Sequence, residues 1–354
     1  MNTNLPVSLD NVPLPSKLPP LVIIAFTRPE LLKEVIAAIS QQSLLPQQII
    51  AFVDGARKAS DEPLIAQCID LLSELSNQVP VKIVARSQNM GCDKNTILAF
   101  TEVLSEYDSL IHLEDDIVPN RFFYDRMCRL LEAYRHNQEV FSISSYASLP
   151  EGFDNSTNND FILSKRVFAW GFGIWADRWH EIDLINRPAR YNPFGSFYKI
   201  PATIQTKLTL VNQFWLEKNN QTDWVITLTV AALHQNKLHI IPTTSFIRNS
   251  GFGHPEAKTY KGKEPHWANA RYDESARPDS LPSSLELVDI LKNSLNGVEF
   301  AQYLSAQNDL WLSPSAIWFL LRKNRGFYNK LLFLKLFITR MPIMLRRLRS
   351  GFPV

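Results

Sequence analysis

The chain has 354 residues, 45% hydrophobic and 20% charged, so it can bury a full core and falls outside the disordered and fibrous classes. Its formal charge of +2 is unevenly placed: nine lysines and arginines and no acid follow Asp309, and subtracting those nine leaves −7 for everything before. A tail of one sign on a body of the other implies that the tail meets an anionic partner the body does not. Three widely spaced cysteines, Cys68, Cys92 and Cys128, match no zinc or disulfide framework and point to a reducing compartment.

Residues Met1 to Pro20 are proline-rich and polar, with neither a basic n-region nor an apolar h-region, and read as a disordered arm without a secretory signal. Leu21 to Phe26 is a continuous apolar run, as expected of a strand covered on both faces. Thr27 as N-cap and Pro29 in the first turn open a helix whose Leu31, Leu32, Val35, Ile36 and Ile39 recur at helical spacing. Ile49 to Val53 is a second strand ending at Asp54-Gly55. Asp61 caps a helix running to Leu75, with Leu64, Ile65, Ile69 and Leu72 as its apolar stripe, and Val81 to Ala85 is a third strand. A turn from Asn89 to Asn95 leads into a helix to about Tyr107. Leu110 to Leu113 is a fourth strand that runs into Glu114-Asp115-Asp116, Pro119 to His136 is a helix, and Val140 to Ser145 a further strand.

Strand–helix alternation of this kind predicts a doubly wound, mainly parallel sheet, in which ligands collect beyond the carboxyl ends of the strands. Arg28, Asp54, the turn carrying Asn89 and Lys94, and the acid triplet all sit at those ends. Three adjacent carboxylates repel one another unless a cation is near, and Mg²⁺ or Mn²⁺ prefers such oxygen ligands; a solvated acidic turn is the alternative.

A loop of small and polar residues, Ser148 to Asn159, marks a subdomain border. Beyond it, Phe168 to Trp175 interleaves aromatics with glycines, a pattern equally suited to a sugar-facing surface and to core packing. Asp223 precedes an apolar helical stretch, Val225 to Leu233, where a simple N-cap is the competing role. Leu238 to Pro242 is a strand, Phe246 to His254 a glycine-punctuated loop, and Pro255 to Ser284 an irregular segment expected to order on binding or to stay disordered.

In order and spacing these pieces resemble the metal-dependent GT-A glycosyltransferases, most nearly the Golgi enzyme family that adds the first branching N-acetylglucosamine to N-glycans, together with related bacterial sugar transferases. The resemblance runs from about Leu21 to about His254 and is carried mainly by Leu113-Glu114-Asp115-Asp116-Ile117-Val118-Pro119 and the Phe122-Phe123 pair. Ile24 to Arg28, Phe52 to Gly55, Trp170 to Trp175, Thr222-Asp223-Trp224 and Gly253-His254 follow in the family's order. The resemblance implies a Rossmann-like nucleotide-binding half with a mixed, mainly parallel sheet (21–147), fused to an acceptor-binding half with a mobile loop (148–284). Basic amphipathic C-terminal helices (285–354) complete the α/β chain.

It also implies roles. Asp116 matches the metal ligand, for Mn²⁺ or Mg²⁺; Glu114 and Asp115 match positions facing ribose and sugar; Arg28 and Asp54 match contacts to the nucleotide and its uracil ring; Asp223 matches the catalytic base. The donor so implied is a nucleotide-diphosphate sugar, a UDP-sugar, and the acceptor a hydroxyl of a glycan or lipid-linked saccharide, reached with inversion. From the residues themselves, Arg248 and His254 are expected to meet the phosphates, with Lys94 as a further candidate beside Asn89. A Golgi anchor of that family's kind is not expected from this sequence, and its Asn89–Asn95 turn is closer to the broader inverting families. A nucleotidyl-transfer or nucleotide-sugar-processing enzyme, and an inactive binding protein, are the other readings.

From Leu320 to Arg349 apolar clusters alternate with basic residues too often for a spanning helix. That pattern predicts a basic amphipathic helix on an anionic membrane surface, at the inner face of the cell membrane, with nucleic acid disfavoured by the long aliphatic clusters. A helix docked on the chain's own acidic body is the alternative.

Overall fold

The computed structural model describes residues 7–149, 158–165, 167–181, 224–257, 262–266 and 268–286, together with Phe327, Leu331, Leu334, Ile338, Met341 and Leu345. An eight-stranded sheet is the frame. Its strands are β1 (Leu21–Ala25), β2 (Ile49–Val53), β3 (Val81–Ala85), β4 (Ser109–Glu114), β6 (Val140–Ser144), β7 (Phe161–Ser164), β8 (Phe172–Trp175) and β9 (Leu238–Pro242). They lie in the order β3-β2-β1-β4-β8-β6-β9-β7. The first four pair in parallel, β8 runs antiparallel to both of its neighbours, β9 is parallel to β6, and β7 closes the sheet antiparallel. The expected mixed, mainly parallel α/β sheet is therefore present. A second ribbon pairs β5 (Ile117–Pro119) with β10 (Ile247–Asn249), antiparallel.

Both faces of the sheet are covered, which is why β1 and β2 read as unbroken apolar runs. Side chains alternate across a strand. Leu21, Ile23 and Ala25 join the core beneath α1 (Pro29–Ile39), α2 (Glu62–Leu75) and α4 (Phe123–Ala133), while Val22 and Ile24 join the core on the other face. That second core is closed by α3 (Cys92–Leu104), α5 (Ala176–His180) and α6 (Trp224–His234), through Phe100, Trp179, Trp224 and Leu228.

Several local expectations change. Arg28, not Thr27, is the N-cap of α1; Pro29 lies in the first turn, and the Arg28 side chain makes no capping hydrogen bond. Asp61 precedes α2 without capping it, because its carboxylate is taken by Arg57. Helix α2 buries Cys68, Leu72 and Leu75, with Ile65 and Ile69 only half-buried. The helix expected from Pro119 begins at Phe123, since Pro119 is held in β5 by pairing with Ile247.

The boundary between two halves does not divide the sheet: β7, β8 and β9, from the second half, complete the sheet begun by the first. The segment expected as a disordered arm is ordered from Val7 onward. Leu9 and Val12 are buried in the core, the Leu9 N–H donates to the Asp279 carbonyl, and the Leu281 N–H donates to the Val7 carbonyl. Composition concealed this because the segment is anchored by two apolar side chains and by Asp10, which reaches the fully buried Arg126. Pro255 to Ser284 is irregular where described, yet Ala257, Ala268 and Leu281 are buried and Ser245 binds the Arg271 carbonyl through its N–H.

Candidate active site

The carboxyl ends of β1 and β4 are adjacent in register, with Ile24 opposite Glu114. The residues that follow each strand, Arg28 after β1 and Asp115-Asp116 after β4, therefore meet. The Arg28 guanidinium donates through Nη1 to Asp116 Oδ2 at 2.7 Å, and through Nε (3.3 Å) and Nη2 to the two oxygens of Asp115. Both acids are buried. Burial pushes the Asp116 carboxyl up and its neighbour Asp115 adds to that, while Arg28 opposes. Burial by itself would lower the Arg28 guanidinium, yet Asp115 and Asp116 together hold it above its ordinary value.

Asp116 is held by its own backbone as well. Its carbonyl accepts from the Ser250 N–H (2.8 Å) and hydroxyl (3.3 Å), just past β10. Gly251 packs on the side chain so closely that a Cβ there would lie 2.1 Å from Asp116 Oδ2. The other carboxylate oxygen, Oδ1, is buried and has no hydrogen-bond partner. A buried anionic acceptor without a donor is costly, and a hard cation would satisfy it. The donor set thus fits one metal bond. Among the described residues no group of three or more His, Cys, Asp or Glu side chains is arranged to hold a metal, so the remaining ligands would have to come from a bound substrate and water.

Asp54, at the end of β2, is a clasp. Its Oδ1 accepts from the N–H groups of Gly55 (2.9 Å) and Met90 (2.8 Å), and its Oδ2 from Asn89 Nδ2 (3.0 Å) and the Gly91 N–H (2.9 Å). Two donors on each oxygen fill its acceptor capacity, so the uracil contact implied for Asp54 finds no lone pair open. Asn89 is likewise engaged, donating also to the Gly55 carbonyl at 2.9 Å. Gly55 has no room for a side chain against the Gln88 backbone, so strand end and turn are stapled together.

One residue not foreseen sits beside this turn. Arg86, directly after β3, donates from Nε to Asn95 Oδ1 (3.0 Å) and lies over the Phe52 ring at 5.0 Å. Its Nη2 and Asn95 Nδ2 are buried donors without partners, as is the hydroxyl of Thr27. For Arg86, its place directly after β3 was the available signal.

The residues expected at the phosphates are placed differently. Arg248 pairs with Glu34 at 3.1 Å and His254 with Glu30 at 2.5 Å, both on α1. With Arg57–Glu256 at 2.6 Å, they latch the 247–257 segment to the first half of the chain, beside Asp116. Lys94 is exposed and enters no ion pair among the described residues. Asp223 lies outside the described residues. Its neighbour Trp224 is described, and the Trp224 N–H donates to Asp93 Oδ1 at 3.0 Å, so α3 caps the start of α6.

The aromatic–glycine run divides in two. Phe172 and Trp175 are buried in β8, where Trp175 Nε1 donates to the Leu131 carbonyl, so this half is core and not a sugar platform. Trp170 remains half-buried, its ring 4.5 Å from Tyr146 and 6.0 Å from Phe252, next to Gly251.

No family model matches the chain, and no curated protein matches it in sequence. Among solved structures, S. aureus TarS aligns at 8% identity over 65% of this chain and 36% of its own, with a TM-score of 0.40. S. aureus TarS in complex with UDP-GlcNAc aligns at 10% identity over 65% of this chain and 58% of its own, TM-score 0.38. The mannosyltransferase PcManGT from Pyrobaculum calidifontis, in complex with GDP-Man and Mn²⁺, aligns at 11% identity over 96% of this chain and 86% of its own, TM-score 0.39. This chain spans 36% to 58% of the lengths of those two TarS structures. At such scores no residue role transfers from these proteins to this chain.

Proposed function

We propose that the chain is a glycosyltransferase of the GT-A type. It would move a sugar from a nucleotide-diphosphate sugar, a UDP-sugar, to a hydroxyl of a glycan or lipid-linked saccharide, with inversion. One observation carries the reading: a buried Arg28–Asp115–Asp116 cluster at the carboxyl edge of a doubly covered sheet, where Asp116 Oδ1 is an anionic acceptor without a donor. Ligands of α/β sheets collect at that edge.

Departure of a nucleoside diphosphate needs its negative charge neutralised. Mn²⁺ or Mg²⁺ on Asp116 would supply Lewis-acid stabilisation of that charge when bound. Arg28 offers a guanidinium fork suited to phosphate oxygens. Arg86 Nη2 and Asn95 Nδ2, buried donors without partners, would serve the carbonyl acceptors of a base. Asp54 contributes by fixing the Asn89–Gly91 turn next to them. Trp170 and Phe252 offer apolar ring faces for a sugar. Asp223 would accept the proton of the attacking hydroxyl, giving in-line displacement.

The same reading places the acceptor at an anionic membrane surface. Phe327, Leu331, Leu334, Ile338, Met341 and Leu345 are helical and exposed, spaced alternately four and three residues apart, in a stretch whose charged residues are all basic. Such a stripe suits a headgroup region. Among the described residues no helix is long and apolar enough to cross a bilayer.

The test is calorimetry and turnover with a panel of nucleotide sugars and Mn²⁺. Asp116→Ala should abolish metal-dependent donor binding. Asp223→Asn should leave donor affinity unchanged and slow turnover by roughly 10²–10⁴-fold, the range of a general base. Unaltered donor affinity in the first variant, or wild-type turnover in the second, removes that residue from the mechanism.

A further inference from the structure

Among the described residues, two buried carboxylates, Asp115 and Asp116, are paired with one cation, Arg28, which holds both oxygens of Asp115 and one oxygen of Asp116. The same Asp116 group that has Oδ1 unpartnered thus has Oδ2 already ion-paired. The two oxygens of a carboxylate share one charge, so a divalent ion approaching Oδ1 meets an anion half-neutralised by Arg28 and is repelled by that guanidinium. A second cation becomes favourable when Arg28 has another anion to hold. A diphosphate is such an anion, with pairs of oxygens that the planar guanidinium fork can hold bidentately. Arg28 is placed to make the exchange. It is the cap residue of α1, outside the strand ladder, and its side chain is still 16% exposed.

We propose that Arg28 is a resident placeholder cation, which excludes a divalent metal from Asp116 in the free protein and passes to the donor's diphosphate when the nucleotide arrives. The inference rests on the nucleotide-sugar reading above and adds a regulation to it: metal and nucleotide bind as a coupled pair, each raising the other's affinity by the same factor. The pairing also protects the free protein. Without Arg28 the two buried acids would be uncompensated, so the same side chain stabilises the empty site and organises the loaded one.

The experiment measures Mn²⁺ binding to the full chain by the paramagnetic resonance signal of free Mn²⁺, with and without UDP, against a blank for the complex UDP forms with Mn²⁺ alone. In the wild type, Mn²⁺ alone should bind weakly and UDP should tighten it by about tenfold or more, within the range of ordinary couplings. Arg28→Gln should bind Mn²⁺ alone about tenfold more tightly than the wild type, and UDP should add little. Arg28→Lys keeps the charge but not the fork, so it should fall between the two; it also decides the matter if Arg28→Gln does not fold by circular dichroism. Adding Asp116→Asn to Arg28→Gln should return Mn²⁺ affinity to the wild-type value, placing the gained site at Asp116. Equal Mn²⁺ affinity in the wild type and the folded Arg28 variants overturns the proposal, as does a gain that survives Asp116→Asn. A wild type that ignores UDP even with Mn²⁺ would instead defeat the nucleotide reading, while the comparison with Mn²⁺ alone would still judge Arg28.

Discussion

Gly251 shows how little freedom surrounds Asp116. A methyl at that position would lie 2.1 Å from Asp116 Oδ2, in the space used by the ion pair with Arg28. Gly251→Ala should therefore displace the carboxylate, lower stability by about 1–3 kcal/mol, as overpacking does, and weaken Mn²⁺–UDP binding more than it lowers the melting temperature would suggest. Calorimetry beside thermal denaturation separates the two effects. Two histidines make a second residue-scale case. His112 and His239 are buried on or beside the sheet, and desolvation drives both down from 6.5 to about 3. His112 Nδ1 faces the Val22 carbonyl, which can only accept, so that nitrogen carries the proton and the ring is neutral. Because the folded values lie below the unfolded ones, the contribution is full above pH 6.5 and is lost as pH falls from there toward 3. At pH 5 each histidine should cost up to about 2 kcal/mol relative to pH 7. Urea unfolding at the two pH values should show the drop, and His112→Phe should flatten part of the slope. Neither environment could be read from the sequence, since a histidine in an apolar strand does not announce which face covers it.

At the scale of elements, α6 depends on a residue from another helix. The Trp224 N–H has its partner in Asp93, at the start of α3, and α3 itself follows the turn clasped by Asp54. Asp93→Ala removes a cap and should cost about 0.5–2 kcal/mol. If Asp223 is the base, the same change should lower kcat more than it raises KM, while Asp93→Asn, which retains an acceptor, should recover most of the loss. Equal kcat in wild type and Asp93→Ala would separate the cap from catalysis. The local elements were largely legible: β2 and β3 have the bounds expected and β1 ends one residue early, at Ala25; β1 and β2, buried along their whole length, carry no polar interruption, whereas β3, at the sheet's edge, carries exposed Lys82. Less legible were β5 and β10, three residues each, which exist only because they pair with one another across more than a hundred residues. Arg248, in β10, forms an ion pair with Glu34 on α1.

For the molecule as a whole, the N-terminal segment is a strap. Leu9 and Val12 enter the main core, and Asp10 joins Arg126, Arg277 and Asp279 in a network around a guanidinium with 1% exposure. The hydrogen bonds from Arg277 and Arg126 hold the Asp10 carboxyl down at about 2. Removal of residues 1–12 should cost at least about 3 kcal/mol from the two apolar side chains alone, measured as a lower urea midpoint, besides leaving Arg126 short of a partner. A chain that lost nothing on truncation would show the strap to be passive.

By itself the sequence determined the α/β alternation, the two-sided burial of the leading strands and the strand ends where polar groups would gather, because hydrophobic period and turn chemistry are local properties. It also singled out Asp116 and Arg28, which stand directly after two of those strands. Only the tertiary structure decided that the two are neighbours, since that requires β1 to lie beside β4. It alone turned Asp54 into a clasp with no open lone pair, and Arg248 and His254 into latches on α1. Those roles depend on which donors and acids lie within about 3 Å, and hydrogen-bond reach is set by packing and not by position along the chain.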